Sequence, residues 1–328
     1  MINRSISVVI PCINIDHIVL KTIKILQTLD NIKTNFFILT DEKIEDNNFF
    51  FPNVNIIQCN NLNMSQKRNL GVSKSSDNYI AFIDSDAYPS KDWLLEAIID
   101  LENNNKIGIV TGPDLVPPEQ DGWEKIVGDS HKSFLLSGSK TYRKIISKRK
   151  YCDQASACNM ILRKSTFLNL QGMDETIYIG EDVDFCNKIK KNNLLILYNP
   201  NAQIFHFARK LKYFLIQRFV YGTCVFEVIS FTHFFSYSQY LLPLLILLYF
   251  VLTLIISFFN YVFIYFFIVP LVALLILFLY ESFKITNKFS LVLKHTMIFF
   301  LNLLFFGSGS FFALLNIRIN RKKLYIKR

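Results

Sequence analysis

The sequence predicts an α/β domain built on a mostly parallel sheet, followed by an all-α membrane region. Three observations predict it. Short apolar runs alternate with helix-period segments over residues 1–205, the pattern of strands joined by crossover helices. The run Tyr79-Ile80-Ala81-Phe82-Ile83 is apolar throughout and ends on two carboxylates, Asp84 and Asp86. That is how a strand buried on both faces reads when a ligand site lies beyond its carboxyl end. Residues 240–317 are nearly all apolar, long enough for membrane-crossing helices.

Composition narrows the function classes. A length of 328 residues allows one large domain or two moderate ones. The net charge of +10 is concentrated beside the apolar segments, in Arg209, Lys210, Lys212 and Arg218 and again in Arg318, Arg321, Lys322, Lys323, Lys327 and Arg328. Basic flanks of this kind mark the cytoplasmic side of a membrane protein and attract anionic lipid, so no nucleic-acid partner is expected. The six Cys include no Cys-x-x-Cys pair, which disfavours a zinc site or a disulfide framework. The N-terminal apolar run Ile6–Ile10 is too short for a signal peptide and is broken by Pro11, so the α/β domain is expected in the cytoplasm.

The elements follow in order. Ser5–Ile10 is a strand, and Pro11-Cys12-Ile13-Asn14 leaves it as a loop. Asp16 can cap a helix through Leu29, with Val19, Ile23, Leu26 and Leu29 on one face. Strands are expected at Phe36–Leu39, ending at Asp41, and at Val54–Ile57. A helix at Ser65–Ser73 carries Lys67-Arg68-Asn69. The Tyr79–Ile83 strand stops before Pro89, which cannot continue a central strand. A helix at Lys91–Leu101 and a strand at Ile107–Val110 come next. Residues 112–150, with Pro113, Pro117, Pro118 and Gly122, read as a long excursion on the acceptor side. Ala155–Leu162 reads as a strand, Gly180-Glu181-Asp182-Val183-Asp184 opens a helix through Lys191, and short strands follow at Leu194–Leu197 and Ala202–Phe205. The last ends on His206.

The C-terminal part begins with Phe207–Tyr221. Phe207, Leu211, Phe214, Leu215 and Phe219 share one helical face, beside a basic and polar one, the signature of an interfacial helix in region 207–238. Spans are expected at 240–259 and 261–280, each reaching about 30 Å. Fifteen residues of the first are Leu, Ile, Phe or Val, worth roughly −5 to −9 kcal/mol of insertion free energy. Asn260 is the only polar break between them, so they form a hairpin. A third segment, 295–317, is interrupted by Gly307-Ser308-Gly309-Ser310. If it spanned, the basic tail 318–328 would lie outside, against the positive-inside rule, so a broken or re-entrant pair is expected here.

Asp84 and Asp86 carry the chemistry most directly. Hard oxygen ligands at a sheet edge suit Mg2+ or Mn2+ bridging to phosphates, although Asp-x-Asp after a strand also serves as a plain polar turn. Asp182 and Glu181, at a helix start, suit either a helix cap or an ionised general base. A lone His such as His206 is more often structural than a ligand.

Taken together, Ser7-Val8-Val9-Ile10-Pro11, Lys67-Arg68-Asn69-Leu70-Gly71, Tyr79 to Asp86 with Trp93-Leu94, Asn159-Met160, Gly172-Met173-Asp174-Glu175, Gly180 to Asp184 and Pro200…His206 resemble the family 2 glycosyltransferases of the GT-A fold, in the form with a membrane-associated C-terminus. The resemblance covers roughly residues 5–206. It implies a domain over 1–206, with transmembrane helices in 239–317. It implies a nucleotide-sugar donor held by the Pro11–Asn14 loop, Asp41, Arg68, Asp84 and Asp86, with Asp86 and His206 on Mn2+ or Mg2+. Asp182 matches the general base of an inverting displacement, with Glu181 its rival. The usual acidic-Gly-Ser turn is replaced here by Asp41-Glu42-Lys43, and Gln217-Arg218-Phe219 lacks the spacing and Trp of processive synthases.

The expected activity is therefore non-processive transfer of a sugar to a lipid-linked glycan or polyprenyl acceptor on the cytoplasmic face of a prokaryotic membrane, in cell-surface polysaccharide biosynthesis. The alternatives are a polyprenyl-phosphate glycosyltransferase, in which an already ionised phosphate attacks, and a non-catalytic membrane scaffold with a vestigial nucleotide-sugar fold. A channel is disfavoured, because the spans carry almost no ionisable groups.

Overall fold

The computed structural model describes residues 4–28, 32–43, 53–60, 62–177, 179–230 and 238–317. The chain divides into two compact units, one of Met1–Pro117 with Tyr142–Phe207 and one of Pro118–Thr141 with Ala208–Arg328.

The first unit is α/β. Its strands are β1 (Ser5–Pro11), β2 (Lys33–Thr40), β3 (Val54–Gln58), β4 (Tyr79–Phe82), β5 (Ala87–Pro89), β6 (Ile107–Thr111), β7 (Asp114–Leu115), β8 (Lys150–Cys152), β9 (Met160–Arg163), β10 (Leu195–Tyr198) and β11 (Ile204–His206). Eight of them form one sheet in the order β3-β2-β1-β4-β9-β6-β10-β8. β9 runs antiparallel to both β4 and β6, and β8 antiparallel to β10, while the other pairings are parallel.

Both faces of this sheet are covered, which is why its strands read as unbroken apolar runs. Along β1, Val8 and Ile10 pack with helices α1 (His17–Gln27) and α3 (Trp93–Asn103), through Val19, Ile23 and Leu26 and through Trp93, Leu94 and Ile98. Val9, between them, packs on the opposite face with Phe82, Met160 and residues of α2 (Met64–Lys74), α6 (Lys164–Asn169) and α7 (Glu181–Lys191). Asp16 caps α1 as expected, accepting from the N–H groups of Ile18 and Val19 at 2.9 and 3.1 Å. The Ala155–Leu162 strand is shorter than its composition suggests. A turn in which Asn159 N–H donates to the Ser156 carbonyl (2.9 Å) occupies its first half, and only Met160 onward joins the sheet.

A second, three-stranded sheet in the order β5-β11-β7 positions the site. β11 pairs antiparallel with β5, His206 opposite Ala87, and parallel with β7, Ile204 opposite Asp114. Pro89 does not continue the central strand, as expected; it is the last residue of β5, an edge strand, where a missing N–H costs no ladder bond. Phe207 is not yet helical, because its N–H is still donated to the Asp86 carbonyl at 2.9 Å.

The second unit is helical. It contains α4 (Gly122–Ser130), α5 (Phe134–Ser137), α8 (Leu211–Thr223), α9 (Val225–Ser230), α10 (Leu242–Phe259), α11 (Phe263–Ile285) and α12 (Phe289–Leu314). Residues 112–150 are thus mostly ordered secondary structure rather than one open excursion. Segments Gln239–Phe259, Phe263–Ile285 and Phe289–Leu314 are long and apolar enough to cross a membrane, with mean hydropathies of 2.7, 2.8 and 1.9. Pro270 leaves the Phe266 carbonyl of α11 without its helical donor, and the Tyr249 hydroxyl supplies one at 2.7 Å.

Two expectations for this region are corrected. The third apolar segment is a single continuous helix, not a re-entrant pair, and its Gly-Ser-Gly-Ser run is helical. Those glycines serve close packing instead of a break. A Cβ on Gly309 would collide with the Phe219 carbonyl, and one on Gly222 with the Phe306 carbonyl, so α8 and α12 meet backbone to backbone. The apolar stripe of α8, expected to face lipid, is accordingly in large part covered. Phe214 is buried with Ile298, Ile126 and Val127, and Leu211 and Leu215 pack against the same cluster. The basic tail 318–328 lies outside the described residues.

Candidate active site

The site gathers at the carboxyl ends of β1, β2 and β4, at the start of α7 and at the end of β11, all in the first unit. β4 stops at Phe82, and Asp84 to Asp86 form the turn into β5. The β5–β11 register then sets His206 beside Asp86, with Nε2 3.1 Å from Oδ1. Burial alone would lower the imidazole pKa, but the Asp86 carboxylate raises it well above the ordinary His value. One ligand atom each from Asp84, Asp86 and His206 lie within 4.8 Å of one another. Two cis ligands at about 2.1 Å in an octahedral Mg2+ shell are about 3.0 Å apart. The Asp86–His206 spacing therefore fits a divalent cation, and two carboxylates with an imidazole are a suitable donor set for Mn2+ or Mg2+.

Arg68 ties this turn to α7. It sits on α2, whose start is fixed by a capping box between Asn63 and Gln66. Its side chain is 4% exposed, and its two terminal nitrogens donate to Asp84 Oδ1 and Glu181 Oε1, each at 2.9 Å. The two carboxylates raise its pKa against the lowering effect of burial. Glu181 in turn has its pKa raised by burial and by the neighbouring Asp182, with Arg68 opposing. Gly180, at φ +93°, makes the left-handed turn that sets Glu181 as the first helical residue. Asp182 makes no ion pair among the described residues; its Oδ1 accepts from the Val183 N–H at 2.8 Å.

The first two strand ends are joined by a buried lysine. Lys67, 1% exposed, donates to the Cys12 carbonyl at 2.6 Å and to Asp41 Oδ2 at 2.8 Å. Asp41 Oδ1 is buried with no hydrogen-bond partner, an acceptor available to a ligand donor. Pro11 is buried at the end of β1 and Asn14 is exposed in the loop beyond it. The structure thus brings Asp84, Asp86, His206, Arg68 and Glu181 into one contact network, with Pro11, Asn14 and Asp41 at the neighbouring strand ends.

Residues 7–167 match the family described as Glycosyl transferase family 2. These residues form a family 2 glycosyltransferase domain. Its mostly parallel sheet, with helices after it, has the GT-A-like arrangement. The chain is similar, at 26% identity over 156 residues, to the pre-mycofactocin glycosyltransferases of Mycobacterium tuberculosis strains CDC 1551 / Oshkosh and ATCC 25618 / H37Rv, the match covering 47% of this chain and 32% of each relative. The chain therefore spans about a third of the length of these curated relatives. Among solved structures it is similar to GalNAc-T7 with UDP, GalNAc and Mn2+, with a TM-score of 0.48 and 13% identity over 64% of this chain and 44% of that one.

The glycosyltransferase domain also holds polar groups that local sequence patterns do not reveal. Asp114, at the start of β7, is 3% exposed and binds Lys144 at 2.5 Å and Arg143 at 3.7 Å. Cys158 Sγ is 3.7 Å from Asp114 Oδ2. Asp114, Cys158 and His206 could also converge on a cation, but the two basic side chains already neutralise Asp114. Asn159 secures the second sheet: it accepts from Trp93 Nε1 at 2.8 Å and donates to the Ala202 carbonyl at 2.9 Å.

Proposed function

We propose that the chain transfers a sugar, with inversion and in a non-processive manner, from a nucleotide-sugar donor to a lipid-linked acceptor. The observation that carries this reading is the convergence of Asp84, Asp86 and His206 beside Arg68 at the carboxyl edge of a glycosyltransferase sheet. Asp86 and His206, with Asp84 adjacent, would hold Mn2+ or Mg2+, which neutralises the charge developing on a diphosphate leaving group. Asp41, with one oxygen fixed by Lys67, offers its other oxygen to the nucleoside. Arg68 holds Asp84 in place relative to α7.

Asp182 is assigned as the general base, taking the proton of the acceptor hydroxyl as it attacks the anomeric carbon. Glu181 suits that role less well, because Arg68 already occupies its carboxylate. Three helices able to cross a membrane favour an acceptor confined to that membrane, with the domain on the cytoplasmic face of a prokaryotic inner membrane and the product a surface glycan.

The deciding experiment is nucleoside diphosphate release by the full chain in native lipid extract, across nucleotide sugars, with and without Mn2+ or Mg2+. Metal-dependent release with one donor, lost in Asp86→Ala, is expected. No release and no donor binding with any nucleotide sugar would refute the reading.

A further inference from the structure

We propose that Arg143 forms an anion subsite for the acceptor, taking a phosphate or diphosphate group that lies near its attacking oxygen; this rests on the glycosyl-transfer reading above.

The charge count comes first. Two cations face one carboxylate, Asp114, so one positive charge is left over. Lys144 Nζ holds Asp114 Oδ1 at 2.5 Å. Arg143 reaches Oδ2 only at 3.7 Å, beyond hydrogen-bond range. The Arg143 side chain is 17% exposed, and its guanidinium makes no hydrogen bond within the described structure, although it carries five donors. Its planar fork matches a phosphate oxyanion bidentately. Arg68, the buried guanidinium described above, has both terminal nitrogens committed and only its Nε without a partner. Arg143, by contrast, has both terminal nitrogens outside hydrogen-bond range of Asp114 or unengaged.

Position points to the acceptor. Asp114 opens the strand that pairs with β11, which ends on His206. The Arg143 pKa is raised above the ordinary Arg value against the lowering effect of burial, chiefly by Asp114, with Cys158 and Asp182 contributing. One ligand atom each from Asp114, Cys158 and His206 lie within 4.8 Å of one another, so Arg143, facing Asp114, stands at the His206 edge of the site, in the 112–150 segment read as the acceptor side. An acceptor hydroxyl on a sugar joined to lipid through diphosphate would bring such an oxyanion. So would a lipid phosphate that itself attacks.

The test uses the full chain in detergent with EDTA, so that no metal can bridge an anion to Asp86. Inorganic phosphate and pyrophosphate are the probes, with binding followed by calorimetry. Saturable binding is expected in the unmodified protein, at least tenfold weaker in Arg143→Gln and intermediate in Arg143→Lys, which keeps the charge without the fork. Lys144 still pairs with Asp114 in both variants, and unchanged Trp93 fluorescence in a Trp123→Phe background reports an intact fold. Equal binding in Arg143→Gln, or no saturable binding at all, overturns the proposal.

A second arm separates donor phosphate from acceptor phosphate. Affinity for a panel of nucleoside diphosphates with Mn2+ should stay within twofold in Arg143→Gln, and a tenfold loss would assign Arg143 to the donor instead. If no nucleoside diphosphate binds even the unmodified protein, the glycosyl-transfer reading itself has failed. If nucleotide binds and phosphate binding ignores Arg143, only this proposal has.

Discussion

Arg68→Met should be among the most damaging single changes in the first unit. The substitution keeps an unbranched apolar side chain but removes both bonds to Asp84 and Glu181. Charge-assisted hydrogen bonds contribute about 1.5–3 kcal/mol each, giving about 3–6 kcal/mol for the pair, and breaking a buried ion pair costs about 3–5 kcal/mol. Asp84 is 25% exposed and Glu181 17%, so water recovers part of the loss, and we expect about 3–4 kcal/mol. The chain has two Trp, and a Trp123→Phe background leaves fully buried Trp93 as sole reporter of the first unit. With a urea dependence of about 2–3 kcal/mol/M for a unit this large, the midpoint should fall by about 1–2 M. Arg68→Lys should recover no more than half, since one ammonium cannot serve both carboxylates in the same geometry. A midpoint in Arg68→Met within about 0.3 M of the parent would refute the claim that this guanidinium holds the β4 turn to α7.

The remaining predictions concern the metal, the base and the helix contact. The raised His206 pKa means that a proton must leave before a metal binds, so Mn2+ affinity should climb about tenfold per pH unit below that pKa and flatten above it. His206→Gln should weaken binding and remove the proton released, as calorimetry in two buffers would reveal; a pH-independent affinity in the parent would contradict the assignment. Asp182→Asn should cut turnover by about 10²–10⁴ with donor affinity retained. Activity within tenfold of the parent would instead favour an attacking phosphate, which needs no base. Gly309→Leu should force α8 and α12 apart at the Phe219 carbonyl, costing about 1–3 kcal/mol, seen as a lower thermal midpoint in detergent; an unchanged midpoint would show that this close approach is not needed.

How much of this was legible in the sequence depended on whether the signal was local. The Tyr79–Ile83 run and the Asp16 cap carry their meaning within a few residues, because side-chain period and capping are local physics. The expected strands at Ser5–Ile10 and Phe36–Leu39 and the helix at Ser65–Ser73 accordingly lie inside the observed elements. The glycines of α12 misled for the converse reason. Gly-Ser-Gly-Ser reads as a breaker when only propensity is weighed, and its purpose is visible only beside Phe219 on another helix.

The site is least legible where sequence distance is greatest. His206 lies 120 residues from Asp86, and its place follows from a three-stranded pairing that no periodicity encodes. Once the pairing is known, Pro89 becomes informative: a residue without an N–H is tolerated because β5 is an edge, and that edge sets the Asp86 turn beside His206. Lys67 poses the same difficulty. A lysine on a short polar helix reads as solvated, yet here its ammonium is buried between the Cys12 carbonyl and Asp41, joining the two strand ends that flank the expected nucleoside. A buried charge is retained at such a cost only where its partners fix a geometry. Arg143, whose guanidinium lacks such a set of partners, stands out against both Lys67 and Arg68 for that reason.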